Sequence, residues 1–222
     1  MAVTNVYIDG LNLYHGMMDA SLERYRWLDL TAFASRVCHA IGEKTDADWQ
    51  VGQVRYFTSR VHEVKGAAAA KRQNEYLQAL TEINPQLTIE YGKYYMREAD
   101  CVCDCGGKAH VWREKRTDVN MALAVITDAL DPNGPERILL ITGDGDLSPV
   151  VDFAISAGKV VGVAAPPARH QPDLSNRAEA YVLLKKEHFS ARNLLPREVP
   201  LDGGYVLSAP AGWMPRSMLG PS

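Results

Sequence analysis

Short apolar runs rich in β-branched residues alternate along the chain with stretches whose apolar positions recur at helical spacing. The first run, Val3 to Asp9, is closed by Gly10 and predicts a buried strand that delivers Asp9 at its C-terminal end. A polar loop is expected next. From Leu28 to Gly42 the residues Leu30, Phe33, Ala34, Val37, Cys38 and Ile41 share one helical face, with Asp29 or Thr31 as the start and Gly42 as the stop. Val51 to Ser59 predicts a second strand, Gly66 to Asn84 a helix ended before Pro85, and Leu87 to Met96 a third strand. Residues 97–116 carry neither period. Thr117 to Asp131 predicts a helix with Thr117 as N-cap and Val119, Ala122, Leu123, Ile126 and Leu130 as its inner face. Arg137 to Asp146 is the most buried-looking strand. A helix through Gly158, a strand from Lys159 to Pro166 and a last helix near residues 176–188 complete the pattern.

Strands that are nearly continuous apolar runs, each followed by a helix, predict an α/β fold with a parallel sheet covered on both faces. Ligands of such sheets bind outside the carboxyl ends of the strands, which sets Asp9 and the loop around Asp144 on one rim. Residues 1–190 are expected to form one domain with a cysteine-containing excursion at 97–116. Residues 191–222, rich in Pro and Gly, read as a tail that is disordered or laid over the surface.

With 46% hydrophobic and 23% charged residues in 222, whole-chain disorder and fibrous architectures are excluded. Lys and Arg number 24 against 27 Asp and Glu, a net charge of −3, so any nucleic-acid role rests on a local basic patch. There is no membrane-length apolar run and no secretory signal pattern. The four cysteines do not form a secreted disulfide framework, and a cytoplasmic protein is expected.

Three distant segments place acidic groups at predicted strand ends or helix starts: YIDGLNLYHG with Asp9 and Asn12, EKRTDVNMAL with Asp118, and LLITGDGDLSPVV with Asp144 and Asp146. Singly, each has a local explanation. Asp146 could cap the helix beginning near Leu147, and Asp118 could oppose a helix dipole. Together, four carboxylates on one rim would repel one another unless a cation neutralised them. Hard oxygen donors of this kind select Mg²⁺ or Mn²⁺.

The segments YIDGLNLY, EKRTDVNMALAVITDAL and ILLITGDGDLSPVVDFAISAGKVVGV resemble the NYN domain of the PIN-like nuclease superfamily, especially its bacterial LabA-like members, over roughly residues 3–190 in motif order. The resemblance implies a three-layer α/β/α sandwich with a Rossmann-like parallel sheet. It implies metal-dependent hydrolysis of RNA by a metal-activated water; from the basic and aromatic residues noted below, the RNA is expected to be single-stranded. Carried over by position, the family's acidic residues fall on Asp9, Asp118, Asp144 and Asp146 as ligands for Mg²⁺ or Mn²⁺, with Asn12 among the catalytic set. Thr142 and Ser148 flank the acidic loop and are expected near substrate. A homodimer is implied by the resemblance alone.

Cys101, Cys103, Cys105 and His110 could form a structural Zn²⁺ shell, although single-residue gaps are tighter than usual for zinc knuckles; reduced thiols in a loop are the alternative. Arg113, Lys115 and Arg116, with Trp112 among them, stand just before Asp118 and are read as phosphate contacts. A second basic stretch (Arg55, Arg60, Lys65, Lys71, Arg72) reads as solvated surface. A haloacid-dehalogenase-like phosphatase fails because Leu11 stands where its second aspartate belongs. A dinucleotide oxidoreductase fails because Ser148 replaces the third glycine of the fingerprint. Two alternatives stay open: a non-catalytic RNA-binding or regulatory module, and a pyridine-type hydroxylase of the kind described among NYN-like sequences.

Overall fold

The computed structural model describes residues 2–61, 66–100 and 107–218, with the side chains of residues 109, 110 and 112–114 outside that description. Val3–Asp9 forms β1, and Asp9 caps the helix that follows directly, α1 (Gly10–Asp19). A loop was expected there. The helix forms because Leu13 and Met17 find the core, and because Gly16 lies so close to Pro166 and Pro167 that no larger residue would fit. Asp29 caps α2 (Leu30–Thr45), accepting from the N–H groups of Thr31 and Ala32 at 3.0 and 3.1 Å. Gly42 does not stop this helix; Asp46 does, in the left-handed conformation at φ 49°.

The elements β2 (Gln50–Thr58), α3 (Ala67–Ile83) and β3 (Thr88–Tyr91) follow the predicted order. The expected third strand then divides at Gly92. Its second part, β4 (Lys93–Asp100), pairs antiparallel with β5 (Lys108–Lys115), so the stretch read as patternless contributes a hairpin. Sequence could not show it, because much of β4 is exposed and no alternation of apolar and polar residues is imposed.

The remaining elements are α4 (Thr117–Leu130), β6 (Arg137–Ile141), α5 (Ser148–Ser156), β7 (Val160–Ala165), α6 (Pro172–Arg177) and β8 (Ala180–Leu183). The last replaces most of the helix expected near 176–188; a short apolar run such as Ala180–Leu183 is ambiguous until a neighbouring strand pairs with it.

Six strands form one wholly parallel sheet in the order β3-β2-β1-β6-β7-β8. Alternation along the strands divides the core. Val6, Ile8, Leu139 and Ile141 face α1, α2 and α3, whereas Tyr7, Ile138 and Leu140 face α4, α5 and α6. This is the three-layer α/β/α sandwich. Strand order reverses between β1 and β6, which opens a crevice at their carboxyl ends.

Helix α4 turns the opposite face inward from the one its pattern suggested. Val119, Leu123 and Leu130 are exposed, whereas Met121, Ala124, Val125 and Ala129 are buried. Apolar residues occupy two opposite faces of the helix, so periodicity could not choose between them. Ala124 and Ala129 allow close approach to the sheet, and Asp128 accepts hydrogen bonds from Tyr7 and Asn5. Arg55 stands 3.6 Å from the same carboxylate.

The C-terminal residues lie over the α1–α3 side. Leu195, Val199 and Met214 are buried, β9 (Glu198–Pro200) and β10 (Val206–Ser208) pair as a short hairpin, and Trp27 Nε1 donates to the Pro196 carbonyl at 2.8 Å. Among the described residues, no helix is long and apolar enough to cross a membrane.

Candidate active site at the carboxyl ends of β1 and β6

The chain reversals after β1 and β6 hold one another through side chains. Asp9, only 4% exposed, accepts from Asn12 N–H through Oδ1 at 3.0 Å and from Thr142 Oγ1 through Oδ2 at 3.0 Å. Thr142 Oγ1 accepts in turn from Asp144 N–H at 3.1 Å. Asn12 Oδ1 accepts from Gly143 N–H at 2.9 Å. Asp144 Oδ1 accepts from Asp146 N–H at 3.0 Å, and Ser148 Oγ donates to the Gly145 carbonyl, closing the turn into α5. The network ties the first turn of α1 to the β6 loop across the crevice where strand order reverses.

Burial pushes the Asp9 carboxyl up to about 6. The hydrogen bonds from Asn12 and Thr142 oppose that rise, and the charges of Asp118 and Asp144 add to it. Three carboxylates from distant segments therefore act on one another. Among the described residues, no three acidic, His or Cys side chains converge closely enough to grip one ion directly. The donor set nevertheless fits a hydrated Mg²⁺ or Mn²⁺. Mg²⁺ retains several waters and is usually held through one or two carboxylates, and hard oxygens surround a site whose acting charges are both negative.

Individual expectations change in detail. Thr142 is fully buried and Ser148 nearly so, with both hydroxyls engaged, so they hold the loop rather than touch a substrate. Asn12 commits its carbonyl oxygen to Gly143. Asp146 is exposed and meets the cluster through its backbone, so it does not cap α5, which lacks a side-chain cap. Asp118 lies in the first turn of α4, and Thr117 is inside the helix, with Arg116 at the cap position in the left-handed conformation at φ 85°. That conformation is costly for a non-glycine residue, by about 1–2 kcal/mol, and it is located beside Asp118.

Arg116 is exposed with its guanidinium 5.8 Å from the Tyr95 ring centroid, and Lys115 is exposed at the end of β5. Arg60 lies 4.7 Å from the Tyr91 ring centroid. Cations over half-exposed rings thus line the base of the β4–β5 arm next to α4. The second basic stretch is not one patch, since Arg55 pairs with Glu90 and Asp128 beneath α4. The side chains of Arg113 and His110, and all of Cys101, Cys103 and Cys105, lie outside the described residues, and the zinc expectation with them.

A cavity of about 360 Å³ adjoins this rim on the α1–α3 side. Gly10 and Leu11, immediately after Asp9, line it together with Tyr56, Arg26, Arg72 and Trp213. No linear motif marks it, because its walls come from α1, the start of α2, α3, β2, β4 and the C-terminal segment.

The model of the NYN domain matches residues 3–185. The 6-hydroxy-3-succinoylpyridine 3-monooxygenase HspA of Pseudomonas putida is 24% identical over 227 residues, spanning 89% of this chain and 71% of that protein. A protein of unknown function from Vibrio parahaemolyticus, VPA0982, superposes with a TM-score of 0.55 at 17% identity, over 85% of this chain and 95% of that one, a likeness of fold.

Proposed function

The chain belongs to the NYN domain family, a branch of the PIN-like nucleases, and from that premise we propose that it is a divalent-metal-dependent endoribonuclease acting on single-stranded RNA. The observation that carries the reading is the setting of Asp9: a carboxylate only 4% exposed at a strand end, braced by Asn12 N–H and the Thr142 hydroxyl, with the negative charges of Asp118 and Asp144 near enough to act on it. A fold sustains that repulsion most economically where a cation is bound in use.

Asp9, Asp118 and Asp144 would hold a hydrated Mg²⁺ or Mn²⁺ largely through its waters, with Asp146 at the open side. When bound, the cation supplies an acidified water and neutralises charge on the phosphodiester. Thr142 keeps Asp9 and the Asp144 backbone in register, and Asn12 pins Gly143, so both are positioning residues. Lys115 and Arg116 would contact phosphates, with Tyr95 beside Arg116 and Tyr91 beside Arg60 as half-exposed stacking surfaces.

The test is cleavage of labelled single-stranded RNA with Mg²⁺ or Mn²⁺. Activity lost in EDTA and in both Asp9→Asn and Asp144→Asn is expected. Activity that survives in both variants, or an inactive wild type that is folded, defeats the proposal. The Pseudomonas putida relative favours a second reading, oxidation of a small heteroaromatic ring. Oxygen consumption dependent on 6-hydroxy-3-succinoylpyridine and a two-electron donor, without RNA cleavage, would select it.

A further inference from the structure

The cavity beside Asp9 differs from the acidic rim in chemistry. Its walls are mainly aromatic and aliphatic, and two guanidinium-bearing residues, Arg26 and Arg72, line it with no carboxylate among the described lining residues. Tyr76 and Trp213 form one wall, with ring centroids 6.0 Å apart at 70°, and Tyr76 spends its hydroxyl on the Leu28 carbonyl at 2.8 Å. With its hydroxyl so engaged, Tyr76 presents only apolar ring surface. Arg26 is held 4.8 Å from the Trp213 ring centroid, which fixes a positive charge at the cavity wall. Tyr14, 43% exposed on α1, lines the same space.

A volume of about 360 Å³ lies at the small end of ligand pockets, enough for one ring system with a short appendage. Aromatic walls select a flat ring, and the two arginines select an anion on it. Gly10 and Leu11, which follow Asp9 directly, line the cavity where it adjoins the acidic rim, and Gly10 is so tight against the Tyr56 ring that a Cβ would lie 2.5 Å from it. The ligand would thus sit one residue from Asp9.

We infer that this cavity takes one unpaired nucleotide of the RNA strand, its base among the aromatic walls and its phosphate toward Arg26 and Arg72. This rests on the ribonuclease reading, and it adds a means of gripping a single strand next to the scissile phosphate. Stacking accepts any base, so the subsite selects unpaired over duplex RNA rather than a sequence. The C-terminal segment, through Trp213, becomes part of the substrate site.

Calorimetric titration of the full chain with adenosine 5′-monophosphate in EDTA isolates this subsite from cleavage. Binding is expected, at least tenfold weaker in Ala69→Phe, which fills the cavity from α3, and in the Arg26→Ala/Arg72→Ala pair. In a parallel assay with Mn²⁺, both variants should raise the KM for a short single-stranded RNA more than they lower kcat. No nucleotide binding, or binding unchanged in both variants, overturns the subsite. So does binding of nicotinate, a pyridine carboxylate, with nucleotide excluded; that result assigns the cavity to a small molecule. RNA cleavage with an unaltered KM in Ala69→Phe leaves the nuclease standing and removes the subsite. Nucleotide binding without any RNA cleavage does the reverse.

Discussion

Thr142 Oγ1 donates to Asp9 Oδ2 at 3.0 Å and itself accepts from Asp144 N–H at 3.1 Å, so one buried side chain sets the spacing of the β1 and β6 carboxylates. Thr142→Val keeps the shape and removes both bonds. It is expected to cost about 1–3 kcal/mol in urea denaturation, because Asp9 and the Asp144 N–H lose partners in a buried place. RNA cleavage should fall roughly tenfold or more, with Thr142→Ser close to wild type. Equal activity of the Val and Ser variants would remove Thr142 from the positioning network.

The raised Asp9 carboxyl gives the metal-free protein a defined pH response. Its ordinary value of 3.8 applies to the unfolded chain and about 6 to the folded one. Below the lower value both states hold the proton and there is no penalty. As pH rises toward 6 the unfolded state ionises first, so stability is lost, by about 3 kcal/mol at neutrality. Asp9→Asn removes that loss. In EDTA, the Tm of the variant relative to wild type should therefore increase from pH 4 to pH 7, and Mn²⁺ should raise the Tm of wild type alone. A difference independent of pH would show that Asp9 ionises normally.

Gly143 lies where no side chain fits, since a Cβ would meet the Arg169 carbonyl oxygen at 2.3 Å. The obstacle is backbone and cannot swing aside. Gly143→Ala is expected to cost about 1–3 kcal/mol and to displace the Asp144 loop, so that thermal stability and RNA cleavage fall together. Full activity in this variant would mean the loop moves freely.

Arg116→Glu reverses a charge two residues before Asp118 and leaves the Asp9–Thr142–Asp144 hydrogen bonds in place. Binding of single-stranded RNA in EDTA should weaken, and the slope of log affinity against log salt should shrink by about one to two phosphate contacts. An unchanged isotherm would move the RNA path off the β4–β5 arm.

The strands Val3–Asp9 and Arg137–Ile141 were legible from sequence because burial on both faces leaves an unbroken apolar run, and the parallel class followed from their alternation with helices. Asp9, Asp118 and Asp144 were legible as a set because strand ends and helix starts are marked by local chemistry. What tertiary structure alone decided are matters of partnership. It selected the buried face of α4, which has apolar residues on two opposite faces and is oriented by Asp128 meeting Tyr7 and Asn5. It converted residues 180–183 into a strand by supplying β7 as a neighbour, and residues 10–19 into a helix by docking them against the core. It also moved Thr142 from an expected substrate contact to a buried brace, and brought Trp213 from the C-terminal segment to a cavity beside Asp9. Local sequence encodes where a chain can bend and which residues avoid water; which face is covered, and by what, depends on surfaces distant in the chain.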